Sequence, residues 1–353
     1  MLAKKLLAVG LSVVLALAAA ELVVRALDLA PGVSVIERGR FRLSRNPRIG
    51  YEPVPNLDYR GEDLSYFDYT GASNSLGYRD REHAVAKPPG TFRVVVIGDS
   101  IAAGLKVDRF EDTLPPLLEG ELQAAGVPAE VISLAVSGYN TRQEVETLRD
   151  KGLAFEPDVV LVAYSLTDRE RVDGGILTTL LTEERGADGA DARQVAHTEI
   201  HPLLARSALL RALRYRVLPP PPPDAELARG YEELVAGGDT VAESMADLAA
   251  LAERHGFRVA VAVFPRLPDS FRGYRWLDHH QFVADLARRH GFLHVDLLPA
   301  FAACRQATGE SLKLDHFHPS PAGHRCAAEA IGEAVVEDLG AVRPPRSPAA
   351  NGG

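Results

Sequence analysis

RVVVIGDSIAAG, residues 93–104, decides the reading of this chain. Val94, Val95, Val96 and Ile97 form an apolar run with no polar alternation, closed by Gly98-Asp99-Ser100. Such a run reads as a strand buried on both faces, the kind found in parallel sheets. Ile101 to Gly104 suit the start of a helix or a tight turn. Ser100 then sits at the carboxyl end of a central strand, where open α/β sheets place their ligands. Its own N–H and those of its neighbours are placed to meet a developing negative charge. A lone Gly-Asp-Ser is also an ordinary strand–turn–helix corner with a polar cap, so the tripeptide needs partners elsewhere.

Partners stand near the other end of the chain. Leu314-Asp315-His316-Phe317-His318-Pro319 supplies an acid and two candidate bases just before a helix. Nucleophile, then Asp, then His is a workable chain order for a serine hydrolase. A serine hydroxyl is a weak nucleophile and needs an adjacent base. An Asp315–His316–His318 metal cluster is the competing use of the same residues.

Gly98-Asp99-Ser100 with Gly104, then Gly138 in a Ser-Gly-Tyr turn, then Asp315-x-x-His318, resembles the SGNH/GDSL hydrolase family over residues 92–339. The resemblance implies a three-layer α/β/α sandwich, flavodoxin-like, with a central parallel sheet of about five strands. It selects His318 over His316 as the base, with Asp315 orienting it, and leaves His324 a structural role. It implies an oxyanion site from the N–H groups of Ser100 and Gly138 and a third donor, an Asn in a Gly-x-Asn-Asp block. Here that block reads Ser165-Leu166-Thr167-Asp168, so Thr167 stands where Asn belongs. Either Thr167 substitutes, or Asn140 in the neighbouring loop does, or the enzyme is slow or has changed task. No metal and no organic cofactor is called for.

Around these blocks the alternation is regular. Strands are expected at 129–135, 157–164, 257–264 and 292–297 and helices at about 114–125, 143–154, 241–255, 279–290 and 321–339, with Thr141 as an N-cap. Strands alternating with helices imply a parallel sheet covered on both faces. Residues 166–240 interrupt the rhythm and read as an inserted helical lid. Within it, 203–218 is a basic amphipathic segment, either a surface helix or one that faces a membrane, followed by the stiff Pro219–Pro223 spacer.

The N-terminus has Lys4 and Lys5 before an apolar run, a signal-like pattern with Ala18-Ala19-Ala20 as a small-residue cleavage motif. Glu21, Arg25 and Asp28 share one helical face, which favours a single uncleaved anchor helix over 2–29 rather than a cleaved peptide. Five arginines (Arg38, Arg40, Arg42, Arg45, Arg48) follow it. They oppose a simple exported topology unless they lie against anionic headgroups. Domain organisation is then an anchor or signal at 1–30, an irregular extension at 31–90 ending at Pro88-Pro89-Gly90, the hydrolase-like domain at 91–340, and a disordered tail at 341–353. Residues 74–80 (NSLGYRD) read as a turn strapped beside the sheet.

The 353 residues carry a formal net charge of -9, which argues against a dedicated nucleic-acid partner. Cys304 and Cys326 are too few for a disulfide framework; they are one bridge or two buried thiols. The expected function is an exported, membrane-anchored serine esterase acting on an ester-bearing small molecule or glycan. The acyl group is expected to be small, such as acetyl. A cell-envelope acyltransferase and a non-catalytic glycan-binding domain are the alternatives, and a secreted form is the alternative location.

Overall fold

A computed structural model of the chain describes residues 2–27, 29–30, 32–34, 40–57, 72–169, 176–177, 180, 194–196, 202–214 and 225–342. Its strands are β1 (Gly32–Ser34), β2 (Phe41–Leu43), β3 (Tyr51–Pro53), β4 (Phe92–Gly98), β5 (Ala129–Ser133), β6 (Val159–Tyr164), β7 (Gln194–Ala196), β8 (Arg258–Val263) and β9 (Leu293–Asp296). Its α-helices begin with α1 (Leu2–Ala26), α2 (Ser100–Ala103), α3 (Leu114–Ala124), α4 (Thr141–Asp150), α5 (Pro202–Arg206) and α6 (Ala208–Ala212). They continue with α7 (Ala225–Ala236), α8 (Val241–His255), α9 (Leu277–His290), α10 (Leu297–Thr308) and α11 (Pro321–Val342). The chain divides into two compact units. One joins Met1–Val54 to Gly174–Val235; the other joins Pro55–Asp173 to Ala236–Gly353.

The second unit holds a five-stranded sheet in the order β5-β4-β6-β8-β9, every pair parallel. Because side chains alternate across a strand, Val94 and Val96 face a cluster with Leu118 and Leu122 of α3 and Ile331 and Val335 of α11. Val95 points to the opposite face, towards Gly152, beyond the end of α4. Val94 to Ile97 are all at most 1% exposed, which accounts for the unbroken apolar run. This is the expected three-layer sandwich with a parallel sheet.

Two boundaries differ from expectation for identifiable reasons. Asn140, not Thr141, caps α4: its side chain accepts from Gln143 N while the Gln143 side chain reaches back to the Asn140 backbone. This reciprocal pair satisfies two helix-end donors at once. Helix α10 was hidden in an apolar run, LHVDLLPAF. Asp296 ends β9 and also caps α10, accepting from Leu298 N at 2.9 Å, and Pro299 falls in the first turn, where it costs no hydrogen bond. Cys304 of α10 and Cys326 of α11 are joined as a disulfide.

The NSLGYRD stretch is more than a strap. Asn74 Oδ1 accepts from Leu76 N and Tyr78 N, both at 3.0 Å, and Asp80 Oδ2 accepts from Ser133 N of β5 at 2.7 Å. His83 lies between Asp80 and Glu130. Arg93, fully buried at 0% exposure, pairs with Glu130 and donates to the carbonyls of Val85 and Phe155. A buried charge persists only with such complete pairing. Burial pulls the His83 imidazole down, but hydrogen bonds and charge from Asp80 and Glu130 outweigh it, leaving its pKa above the ordinary value.

In the first unit, β2 and β3 form an antiparallel pair and β1 pairs in parallel with β7. Of the arginine cluster after α1, Arg40 is 5% exposed and Arg42 pairs with Glu52 at 2.7 Å. Arg40 is therefore taken up within the fold, whereas Arg42 keeps a partly exposed side chain beside Glu52; Arg38 lies outside the described residues. Tyr231 of α7 donates to the Ser44 carbonyl. Residues 31–90, expected as one extension, are thus divided between the units. The described part of the amphipathic segment at 203–218, residues 203–214, holds two short helices, α5 and α6, broken at Ser207, whose hydroxyl accepts from Leu210 N; residues 215–218 lie outside the described residues. Serine competes with the helix for its backbone donors and caps well. The Pro219–Pro223 spacer and the 343–353 tail lie outside the described residues.

Candidate active site

Strand β4 delivers Ser100 at its carboxyl end. Asp99 caps α2, accepting from Ile101 N at 2.8 Å, and Ser100 is the first residue of that helix. Gly98 is required by close approach: a Cβ there would lie 2.8 Å from Ala102 Cβ and 3.1 Å from Ala163 Cβ. The corner is then clamped from outside. Arg79 donates to the carbonyls of Gly104 (2.7 Å) and Val107 (2.6 Å), with longer bonds to Ala103 and Asp108. One buried guanidinium thus meets four carbonyls of the loop that follows Ser100.

The acid and base arrive together on the turn before α11. Leu314 N donates to the His318 carbonyl and closes the turn. Asp315 Oδ1 accepts from Phe317 N and His318 N, both at 2.8 Å. His318 Nδ1 is 2.8 Å from Asp315 Oδ2, and His318 Nε2 is 2.9 Å from Ser100 Oγ. An ionised carboxylate can only accept, so Nδ1 carries the proton and Nε2 is left to accept from the serine. Burial raises the Asp315 pKa, but Lys106, the His318 ring and the two backbone N–H groups more than reverse it, and the carboxyl is held well below the usual range. His316 is not the partner of Ser100; its carbonyl accepts from Leu267 N. His324 is buried at 1% exposure, and burial, with Arg79 and His318 nearby, drives its imidazole down to about 3.

Two residues of this arrangement carried no periodic or motif signal. Lys106 places Nζ 2.7 Å from Asp315 Oδ2; its backbone φ of 67° is the only local oddity that marks it. Arg266 lies 3.8 Å from the Phe317 ring centroid. Its backbone N donates to Tyr274 Oη at 2.8 Å, and that hydroxyl is 3.1 Å from His280 Nε2, whose other nitrogen meets Asp296. The loop beside the acid–base turn is therefore braced from α9 and β9.

The remaining family blocks occupy the ends of the strands flanking β4. Val136 N donates to the Gly98 carbonyl at 3.0 Å, so the loop after β5 runs alongside the end of β4, and Gly138 turns there with φ +79°. On the other side, Ala163 of β6 pairs with Gly98. Thr167 Oγ1 lies 2.7 Å from Ser165 Oγ, and burial raises the pKa of the neighbouring Asp99 carboxyl. Asp168 accepts from Thr141 Oγ1 at 3.0 Å. Asn140, the other candidate donor, uses its side-chain oxygen to cap α4. Glu144 of α4 is 1% exposed; burial, then the Asp168 and Asp99 charges, push its carboxyl well above the ordinary range. Among the described residues, no group of three or more His, Cys, Asp or Glu side chains could hold a metal ion.

The model of the GDSL-like Lipase/Acylhydrolase family matches residues 96–326. The chain belongs to this family. It is an ester-hydrolysing enzyme of the SGNH/GDSL type. No curated protein matches it. Among solved structures it is similar to the acetyl xylan esterase AlAXEase (16% identity, 69% of this chain and 100% of the other, TM-score 0.40). It is also similar to TesA (16% identity, 69% and 97%, TM-score 0.40). A further similar structure is a variant of Axe2, an acetylxylan esterase from Geobacillus stearothermophilus (17% identity, 69% and 94%, TM-score 0.40). Family membership rests on the family model alone.

Proposed function

We propose that this acylhydrolase works through Ser100, His318 and Asp315 by way of an acyl-enzyme. The observation that carries the reading is the unbroken chain Ser100 Oγ–His318 Nε2, His318 Nδ1–Asp315 Oδ2, at 2.9 and 2.8 Å. Ser100 Oγ attacks the ester carbonyl as its proton passes to Nε2. The alcohol leaves with that proton, and water, activated by the same nitrogen, releases the acid and restores the serine. The imidazolium formed between these steps is stabilised by a carboxylate that stays ionised. The oxyanion is assigned to the N–H groups of Ser100 and Gly138.

Thr167 is the weakest of the three donors by geometry: its Oγ1 shares a 2.7 Å hydrogen bond with Ser165 Oγ in which either hydroxyl can donate, so its proton reaches the oxyanion only when Ser165 is the donor of that pair. The substrate is assigned as an O-acyl ester with a small acyl group, acetyl on a glycan hydroxyl, following the family resemblance. Helix α1 is assigned as an uncleaved anchor to the cytoplasmic membrane with the hydrolase exported. Leu7–Ala26 is long and apolar enough to cross a membrane, with mean hydropathy 2.5.

The test is hydrolysis of p-nitrophenyl acetate, butyrate and octanoate by the full chain in detergent, beside Ser100→Ala. Activity that falls with acyl length and vanishes in the variant is expected. Equal activity in both proteins removes Ser100 from the mechanism, and a preference for octanoate overturns the small-acyl assignment.

A further inference from the structure

The first unit carries a surface that the hydrolase chemistry does not use. Glu21 lies within the apolar helix α1, yet its carboxylate is fully engaged. It accepts from Ser207 Oγ, Ala208 N and Leu209 N, each at 2.8 Å, and from Arg25 Nε at 2.7 Å. Arg25 also donates to the Arg206 carbonyl at 2.6 Å. The junction of α5 and α6 is thereby bolted to the side of α1 by one acid and one base of that helix.

This bolt fixes a depth. A 20-residue apolar helix is about 30 Å long, the thickness of a hydrocarbon core. Glu21 stands five residues before its end at Ala26, or roughly 7.5 Å inside it at 1.5 Å per residue. Interfacial amphipathic helices lie at about 5–10 Å. A carboxylate there is costly unless satisfied by protein, and α6 supplies the donors that satisfy it. The helices so held present apolar side chains outward: Leu203 is 62% exposed, Leu210 40% and Leu213 47%. Leu210 and Leu213, the residue that caps the C-terminal end of α6 with a helical backbone, are three residues apart and so lie on one side. Arg206, exposed between Leu203 and Leu210, is long enough to keep its guanidinium group at headgroup level while its stem covers apolar surface; Arg211 instead donates to the Leu204 carbonyl at 3.1 Å and braces the pair.

We propose that α5 and α6 are an interfacial helix pair that lies in the anionic lipid surface beside α1, with Leu203, Leu210 and Leu213 among the upper acyl chains. Its occupant is the bilayer itself. Arg206 supplies charge complementarity to anionic headgroups, and the apolar face continues outward from a helix of membrane-spanning length. The enzyme is therefore held to the membrane by a foot as well as a tether, which restricts how the first unit turns about α1.

The test uses the full chain reconstituted in phosphatidylcholine/phosphatidylglycerol vesicles. Trp276 is the single native tryptophan, so added fluorescence is read as the difference from the unsubstituted chain. Leu210→Trp, at an exposed position, is expected to lose about half its emission to lipids brominated near the headgroup and less to lipids brominated deep in the chain. Leu15→Trp is expected to show the reverse order. Emission from Leu210→Trp that iodide quenches and bromolipids do not would place the helices in water and overturn the proposal. Emission shielded from both would mean that protein, such as a second copy, covers the face, and would overturn it equally. An unquenched Leu15→Trp would remove α1 from the bilayer, and the foot with it.

Discussion

Lys106→Met isolates what a positive charge does for the acid–base pair. Lys106 Nζ and the His318 ring share one carboxylate oxygen, Asp315 Oδ2, at 2.7 and 2.8 Å. The lysine reaches it from a left-handed backbone, φ 67°, a conformation that costs a non-glycine residue of order 1 kcal/mol and is kept where the surroundings demand it. A hydrogen bond to a charged group contributes about 1.5–3 kcal/mol when buried, and an exposed ion pair about 0.2–1 kcal/mol. With the lysine side chain 36% and the aspartate 28% exposed, the pair falls between, near 1 kcal/mol, or about fivefold in rate. Methionine keeps the stem and removes the amine. The expected result is a kcat for p-nitrophenyl acetate about fivefold lower at pH 8 with KM unchanged, largely recovered by Lys106→Arg.

The pH dependence of the same variant has a defined sign. The folded-state pKa of Asp315 is depressed. Its contribution to stability is therefore present above the ordinary aspartate value of about 3.9 and lost as pH falls through the folded value. Loss of Lys106 moves that folded value upward, so both activity and resistance to urea should fail at a higher pH on the acid side than in the parent. Unchanged kcat across the profile would refute the reasoning. A raised KM with unaltered kcat would show that Lys106 binds substrate instead.

Three further outcomes test the other parts of the reading. Thr167→Val should keep kcat within about twofold, because its hydroxyl is already hydrogen-bonded to Ser165; a loss of ~10²–10³ would make it an oxyanion donor. Cys304→Ser with Cys326→Ser opens a loop of 22 residues' separation, which chain entropy values at about 3 kcal/mol; calorimetry should find Tm lower by roughly 10 °C, and equal Tm would show the bridge to be idle. His83 has a raised pKa in the folded state, so its stabilisation is full below the ordinary value of 6.5 and fades as pH rises through the folded value. Urea midpoints should decline above neutrality, and His83→Gln should flatten that decline.

The difference between what could be read from the sequence and what could not follows from the range of the interactions. The β4 run is legible because both its faces are buried, so every position is apolar, and the Asp315–His318 turn is legible because its hydrogen bonds span three residues. Helix α10 was missed because Asp296 serves two elements at once and the apolar run passes through the boundary unbroken. The 203–218 segment has one amphipathic pattern, but among its described residues Ser207 caps α6 and breaks the helix in two. The supports of the site are the least legible. Lys106 meets a carboxylate 209 positions away and belongs to no period or motif, and Arg79 clamps a loop 24 to 29 positions on from within a stretch, NSLGYRD, that reads only as a turn. Glu21 is the clearest case. In the sequence it shares a helical face with Arg25 and Asp28 and signals only that the anchor helix continues past the apolar run. In the fold it is the capping group for a helix 187 positions later, and the same charge that ends the apolar run is what attaches the rest of the first unit to the anchor helix.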